Sequence, residues 1–241
     1  ILDDVVEYIP LGSNLGIARA HNVGIEQAKK SGYKYVLLMD QDSVPHQGMV
    51  QALFDQAELK TNLGSIGPRY IDDRQNNPPP FMEIKGVKLV RHTCTADTDV
   101  VPVDYLISSG SLIPISTINA VGGMREDLFI DYVDIEWGLR AKTMGYQSYG
   151  AKMTHSLGEN PVKFFKKVIP LHSPLRHYYH FRNAVLLYKS PWLPLNWKIV
   201  DCSRLILRYG FYTLFAKPRL QHWWMMTLGL VHGLINRSGK Y

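Results

Sequence analysis

Residues 33–43 read YKYVLLMDQDS, and they are the part of the sequence most informative about the fold. It begins with a continuous apolar run of strand length, which is typical of a buried central strand covered on both faces. The run ends on Asp40-Gln41-Asp42. In open α/β sheets, ligand sites collect at the carboxyl ends of such strands. The stretch therefore predicts a central strand that carries two carboxylates at a functional edge.

Elements of helical and extended pattern alternate on both sides of this strand. Small and apolar residues recur at helical spacing over Ile17–Lys30, between a candidate N-cap at Asn14 and a stop at Gly32. The same patterns predict helices over residues 48–60 and 134–144, and strands over residues 65–71, 83–91, 99–107 and 147–152. Alternating strands and helices favour an α/β fold.

Composition limits the class of protein. The chain has 241 residues, of which 46% are hydrophobic. This is enough to bury a full core, and it excludes disordered and collagen-like classes. Two cysteines, Cys94 and Cys202, are too few for a disulfide framework or a thiolate zinc site, so a reducing compartment is expected. No run of about 18 uncharged apolar residues is present, which predicts a soluble or peripheral protein.

Charge divides the chain into two parts. Residues 163–241 carry 13 Lys and Arg but a single acid, Asp201, while the preceding 162 residues carry 14 bases and 20 acids. Four of the five tryptophans lie in the basic part. Its predicted helix, residues 197–215, has a basic face opposite a broad apolar face, as an interfacial helix or a helix docked on a domain would. The division indicates an acidic site and a region that meets an anionic surface, or else a solvated basic face.

Prolines are frequent between residues 159 and 194, and they predict short, broken pieces there. We therefore divide the chain into a catalytic domain at residues 1–158 and a helical, basic, aromatic-rich extension at residues 159–241.

Two acidic clusters can carry chemistry. Asp40 and Asp42 repel each other unless a cation lies beside them, and Mg²⁺ or Mn²⁺ would take their oxygens and leave positions for phosphate. A turn that caps the next helix is the alternative. Asp131, Asp134 and Glu136 follow an aromatic segment, where a partly buried carboxylate can act as general base. Acids in the first turn of a helix are also favoured by its dipole alone.

Further along the chain, His155 follows a predicted strand. A lone histidine is usually structural. Here it can also complete an oxygen–nitrogen metal site with the acidic residues.

Several of these segments resemble family 2 glycosyltransferases with the GT-A fold. NLGIARAHNVGI at residues 14–25 is similar to their N-x-G-x-x-x-A-x-N-x-G segment, and MDQDS to their D-x-D loop. FIDYVDIEWGLRAKTMGY resembles their acidic catalytic segment, and THSLG their later metal histidine. Four segments are most similar in sequence to bacterial rhamnosyltransferases, namely LLMDQDS, SSGSLIP, FIDYVDIEW and HSLGE. The matches span nearly the whole chain and imply a mixed sheet flanked by helices.

The resemblance implies a role for each donor-side and catalytic residue. Asp40 would contact the ribose or the sugar of the nucleotide-sugar. Asp42 would bind the metal that bridges the diphosphate, with His155 as a further metal ligand. Asp134 would be the catalytic base, and Glu136 would position acceptor or sugar hydroxyls.

The cleft and acceptor residues follow from the same resemblance. They are Ser109, Gly110 and Ser111, which would line the cleft between donor and acceptor, Asp131 and Trp137 beside them, and Arg182 and Asn183, which would help to hold phosphate or acceptor.

The implied function is an inverting, metal-dependent transfer of L-rhamnose from dTDP-rhamnose to a glycan or lipid-linked glycan, in cell-surface polysaccharide synthesis. Mg²⁺ or Mn²⁺ would be the cofactor. The basic C-terminal region would place the enzyme in the cytoplasm, peripheral to the inner face of the plasma membrane, with no nucleic-acid partner. The T-Y-N-like and D-N-G-S-like motifs, which hold the base in this family, do not occur in the sequence, so incomplete base recognition is expected.

Three alternatives remain open. One is a family 2 enzyme that uses a UDP-hexose donor. Another is a haloacid-dehalogenase-type phosphatase, whose D-x-D-x-(T/V) loop would make Asp40 the nucleophile and Asp42 the acid/base. That class needs a later acidic pair, and downstream of His155 only Glu159 and Asp201 remain. The third is a non-catalytic membrane-binding module.

Overall fold

The computed structural model describes residues 6–71, 81–92, 100–156, 162–164, 167–169 and 172–241, with the backbone alone given for residues 70, 71, 152–156, 162–164 and 167–169. The helices are α1 (Ile17–Lys30), α2 (Met49–Glu58), α3 (Ile115–Val121), α4 (Val133–Thr143), α5 (Pro174–Tyr188), α6 (Leu195–Phe215) and α7 (Arg219–Leu234), with a 3₁₀ turn at Glu126–Leu128. The strands are β1 (Tyr35–Leu38), β2 (Val44–Pro45), β3 (Leu63–Ile71), β4 (Phe81–Lys85), β5 (Lys88–His92), β6 (Val100–Val103), β7 (Ser111–Pro114), β8 (Gln147–Ser156), β9 (Val162–Phe164) and β10 (Lys167–Ile169).

The main sheet is mixed, which confirms the predicted α/β class. Its strands run in the order β1-β7-β3-β8-β2, and β6 pairs with β8. The β3–β8 pair is parallel, and the other pairs are antiparallel. Helices α1 and α4 contribute to a core that also includes β7, α5, α6 and α7.

The central position predicted for the strand before Asp40 is wrong. In the part of the chain that the structure describes, β1 is an edge strand that pairs with β7 alone, and only its last residue, Leu38, is fully buried. An apolar run reports what packs on the faces of a strand, whereas its neighbours in the sheet depend on distant segments.

Two other local predictions need correction. The single strand expected over residues 83–91 is a hairpin of β4 and β5, because Gly86 takes a left-handed turn (φ +58°). The broken pieces expected between residues 159 and 194 include the 15-residue helix α5. Pro174 begins this helix, where its missing N–H costs nothing, and the Ser173 hydroxyl accepts a hydrogen bond from the Arg176 N–H at 3.3 Å.

The C-terminal helices pack closely onto the rest of the molecule. Helix α7 approaches α5 at two glycines, and a Cβ atom at Gly233 would lie 2.8 Å from the Arg182 carbonyl oxygen. Side chains on both sides of residue 158, such as Trp137 and Leu187, belong to one core cluster. The domain division at that residue stays a prediction. In the described ranges, none of the helices combines the length and the apolar character needed to cross a bilayer.

Candidate active site

A cleft of about 500 Å³ opens beside the carboxyl end of β1. The β1–β2 loop, the loop before β7, the N-terminus of α4 and the first turns of α5 form its walls. Its polar lining comprises Asp40, Asp42, Tyr105, Ser108, Ser109, Asp131, Tyr132, Asp134, His172, Arg176 and His180. The structure therefore brings together four of the five acidic residues that the sequence predicted, namely Asp40, Asp42, Asp131 and Asp134.

The loops after β1 and before β7 are held to each other. The Asp40 N–H donates to Ser109 Oγ at 3.3 Å, and the Ser109 and Ser43 hydroxyls are 2.8 Å apart. Gly110 has a left-handed backbone (φ +83°), and its N–H donates to the Leu38 carbonyl at 2.8 Å. These contacts leave Asp40 half-buried and Asp42 exposed in the cleft.

The residues around Asp42 suit a hard divalent cation. Asp40 and Asp42 offer carboxylate oxygens to the same cleft, and these are the ligands that Mg²⁺ and Mn²⁺ prefer. The backbone of His155 pairs with Pro45 of β2, three residues after Asp42. The His155 side chain lies outside the described part of the structure. Among the described residues, no three His, Cys, Asp or Glu side chains converge on one point, so the fit rests on the two carboxylates.

The second acidic cluster lies on a strained backbone. Phe129, Asp131 and Tyr132 all have positive φ angles, of 67°, 62° and 64°. For residues with side chains, such conformations cost on the order of 1–3 kcal/mol each, and they persist only where the surroundings impose them. The strained turn leads into α4 and aims Asp131 and Asp134 into the cleft.

Arg182 and Asn183 of α5 impose part of this conformation. Both side chains are fully buried. The Arg182 guanidinium donates to the carbonyls of Leu128 (3.0 Å) and Gly239 (2.6 Å). The Asn183 amide donates to the carbonyls of Leu128, Ile130 and Asp131 at 2.8–2.9 Å. The prediction that these two residues hold phosphate or acceptor is therefore corrected: their N–H groups donate to backbone carbonyls of the acidic segment and of the C-terminus.

The N-terminal segment holds the same turn from the opposite side. The Asn22 amide exchanges two hydrogen bonds with the backbone of Met124, at 2.7 and 2.9 Å. The Ile17 N–H donates to the Phe129 carbonyl at 2.9 Å. A Cβ atom at Gly16 would lie 2.5 Å from that carbonyl oxygen, so only glycine fits there. The N-x-G-x-x-x-A-x-N segment thus acts as a support for the acidic segment.

Glu136, Trp137 and Ser111 are placed differently from their predicted roles. Glu136 is buried and pairs with Arg140 at 2.9 Å, one turn further along α4. The Trp137 indole N–H donates to the Gly122 carbonyl at 2.9 Å. Trp137 and Ser111 line a small internal cavity behind Asp134, and none of the three lines the cleft. The role of Glu136 in positioning hydroxyls is therefore corrected to a structural ion pair.

Asp134 is the carboxyl group best suited to accept a proton. It lies in the first turn of α4, and its Oδ1 accepts a hydrogen bond from the Ile135 N–H at 2.9 Å. Burial raises the pKa of Asp134 to about 6, and the neighbouring charge of Asp131 adds to this shift. A base with a pKa near the working pH is effective in proton transfer.

Helix α5 supplies the groups that sequence analysis missed. Arg176 Nε lies 3.2 Å from Asp131 Oδ1. One turn later, His180 Nε2 is 2.8 Å from the Arg208 guanidinium, and burial, together with the charge of Arg208, holds the pKa of His180 well below its ordinary value. Arg176 and His180 are four residues apart, so they lie on one face of the helix. This spacing is the feature of the sequence from which their shared location could have been predicted. Helix α5 thus contributes one positive charge to the cleft, that of Arg176, and an uncharged imidazole, that of His180.

Comparison with known proteins agrees with this geometry. The model of "Glycosyl transferase family 2" matches residues 1–105. The dTDP-rhamnosyl transferase RfbF of Shigella flexneri is 32% identical over 243 residues, which cover 98% of this chain and 81% of that protein. This chain belongs to glycosyltransferase family 2.

A second relative of this family 2 glycosyltransferase is the low-salt glycan biosynthesis hexosyltransferase Agl10 of Haloferax volcanii, 24% identical over 247 residues, or 98% of this chain and 78% of that one. The crystal structure of GalNAc-T7 with UDP, GalNAc and Mn²⁺ superposes with a TM-score of 0.47 at 10% identity, over 84% of this chain and 44% of that chain. Membership of the family decides against the phosphatase and the non-catalytic module.

Proposed function

We propose that this enzyme transfers L-rhamnose from dTDP-rhamnose to a hydroxyl group of a glycan acceptor, with inversion at the anomeric carbon. The observation that carries the proposal is one cleft with Asp42 in its first loop and, on α4, a half-buried Asp134 whose pKa is raised to about 6. The similarity to a dTDP-rhamnosyl transferase over nearly the whole chain supports the choice of sugar and nucleotide.

Asp134 acts as the general base. Its carboxylate accepts the proton of the acceptor hydroxyl while that oxygen attacks the anomeric carbon of the donor. The new carbon–oxygen bond forms on the face opposite the diphosphate. The bond to the diphosphate breaks, and its electron pair leaves with dTDP. A β-linked donor therefore gives an α-L-rhamnoside, and no protein nucleophile takes part.

Asp40 and Asp42 hold the donor side of the site. They are the residues that would bind Mg²⁺ or Mn²⁺, with His155 as the further predicted ligand. The cation, when bound, neutralises charge on the departing diphosphate. On the opposite wall, Arg176 contributes a positive charge beside Asp131, and Ser109 fixes the backbone of Asp40.

A UDP-hexose donor is the second candidate, because one relative is named a hexosyltransferase. The two donors are distinguished by release of the nucleoside diphosphate, measured with Mn²⁺ present and water as the slow acceptor. We expect dTDP release from dTDP-rhamnose to exceed UDP release from UDP-glucose by roughly tenfold or more, since each lost contact to the base or sugar costs about 1.4 kcal/mol or more. Equal or reversed rates would contradict the proposed donor.

We also propose that helices α6 and α7 rest on the cytoplasmic face of the plasma membrane, where the acceptor is a lipid-linked glycan. Their exposed apolar side chains include Ile206, Leu207, Leu214, Phe215, Leu220, Trp223, Trp224, Leu234 and Ile235. Exposed cations, Lys217 and Arg219, lie at the turn between them. Asp201, the single acid after residue 162, is buried. An apolar and cationic face without exposed acids suits anionic lipid.

Flotation with vesicles tests this docking. The chain should float with phosphatidylglycerol-containing vesicles at low salt and less in 0.5 M salt, because exposed charges are screened. Replacing Trp223 and Trp224 with Ser should reduce the floated fraction severalfold by removing interfacial aromatic area. The matched control replaces two exposed tyrosines elsewhere, Tyr8 and Tyr33. Equal loss in the control, or no flotation at low salt, would refute the docking.

A further inference from the structure

A second cavity, of about 480 Å³, opens between α5, α6 and α7. Its walls are formed mainly by apolar side chains, among them Phe181, Val185, Leu205, Leu230 and Leu234. None of these residues lines the catalytic cleft. The cavity is therefore a separate feature of the C-terminal helices.

Polar groups in the cavity wall are already engaged. The Lys189 ammonium donates to the carbonyls of Gly233 (2.9 Å) and Leu234 (2.6 Å) and so caps the end of α7. The Tyr188 hydroxyl donates to Asp201 at 2.8 Å, and the Tyr209 hydroxyl lies 2.7 Å from that of Thr227. An occupant of this cavity would find these groups already paired.

This chemistry selects the class of occupant. A peptide or a polar metabolite would lose hydrogen bonds to water on entering the cavity and would regain few, at a cost of several kcal/mol. A hydrocarbon chain loses none and gains from leaving water. We infer that the cavity between α5, α6 and α7 binds one hydrocarbon chain of a membrane lipid.

The source of that chain follows from the surface around the opening. Ile206 and Leu234 line the cavity, and they are also 66% and 65% exposed on the outer face of α6 and α7. The opening of the cavity thus shares Ile206 and Leu234 with the face proposed above to rest on lipid, and Arg237, three residues after Leu234, supplies exposed positive charge there. A chain can enter from the bilayer without crossing water. The inference rests on the proposed membrane docking and is independent of the sugar donor.

The test uses 11-(dansylamino)undecanoic acid, an aliphatic probe whose fluorescence rises in an apolar site, with the full chain in solution and neither vesicles nor donor. We expect saturable binding of one probe per chain. Leu234→Glu should weaken binding roughly tenfold or more, because it places a charge at the opening. Leu220→Glu is the matched control: it makes the same change on the same helix, at a residue 80% exposed and outside the cavity, and should leave binding unchanged.

Cys202→Phe supplies a second variant, because Cys202 lines the cavity and a phenyl ring would occupy it. It should abolish saturation while thermal melting and circular dichroism confirm that the chain is folded. If Cys202→Phe does not fold, the Leu234→Glu and Leu220→Glu pair decides alone.

Three results would overturn the inference. The first is a wild-type chain that shows no saturable binding of the probe. The second is equal weakening of binding by Leu220→Glu, which would mean that the probe adsorbs to the apolar face. The third is a wild-type dimer that Leu234→Glu dissociates, which would mean that a second copy of the chain covers the opening. Absence of glycosyl transfer by the wild-type chain would refute the proposed function. Saturable probe binding by that same chain would still support the assignment of the cavity.

Discussion

Asp134→Asn should abolish glycosyl transfer, with kcat reduced by roughly 10³-fold and the affinity for dTDP-rhamnose changed by less than about threefold. The amide keeps the shape of the carboxyl group but cannot accept the acceptor's proton. Donor affinity is retained because the donor contacts proposed above come from the β1–β2 loop. Steady-state turnover and donor titration of the variant measure the two effects separately.

The same substitution should stabilise the protein at neutral pH. The pKa of Asp134 is about 6 in the folded chain, against an ordinary value of 3.8. The folded state therefore binds the proton more tightly, and the stability that this provides is present below about pH 4 and lost as the pH rises through about 6. At pH 7 the asparagine variant should be more stable by about 1–3 kcal/mol. Urea denaturation of both proteins should show this difference in the free energy of unfolding at pH 7 and little or no difference at pH 4.

The pH dependence of the wild-type enzyme should follow the same ionisation. Because the base must be deprotonated, kcat/KM should rise with pH through about 6 and then level off.

Asp127→Asn is the matched control for Asp134→Asn, since Asp127 pairs with Arg125 at 2.8 Å on the same segment and does not line the cleft. Transfer by Asp134→Asn above a tenth of wild type, or equal loss in Asp127→Asn, would remove Asp134 from the role of base.

Local patterns predicted helices α1, α2, α4 and α6 and most of the acidic groups of the cleft. The apolar spacing over Ile17–Lys30 coincides with α1, and the carboxylates placed after the apolar run do line the cleft. These features depend on residues within one or two turns, or on where a strand ends, so the sequence contains the information. The pairing of Glu136 with Arg140 was also accessible, because residues four apart face each other on a helix.

The side chains that support the strained turn could not be predicted from local patterns. Arg182 and Asn183 contact carbonyls more than fifty residues earlier in the chain. A buried polar pair that supports a backbone and an exposed pair that binds a phosphate have the same residue types. Only the folded chain shows that both side chains are fully buried. The edge position of β1 depends in the same way on pairing with β7, a strand more than seventy residues later.

Asp42→Ala should lower the affinity for dTDP-rhamnose by roughly 10²-fold in the presence of Mn²⁺. The variant loses a carboxylate that would hold the cation, and the diphosphate then has less positive charge to balance it. Asp55→Ala is the control. Asp55 is an exposed acid on α2 that accepts a hydrogen bond from Gln51, and its removal makes the same change in net charge away from the cleft.

Placement of the donor in this cleft can be tested by a calorimetric titration of the wild-type chain and these two variants with dTDP-rhamnose, with and without Mn²⁺. We expect tight, Mn²⁺-dependent binding to the wild type and to Asp55→Ala, and loss of that binding in Asp42→Ala. Mn²⁺-dependent binding of equal affinity in Asp42→Ala would contradict the placement of the donor in this cleft.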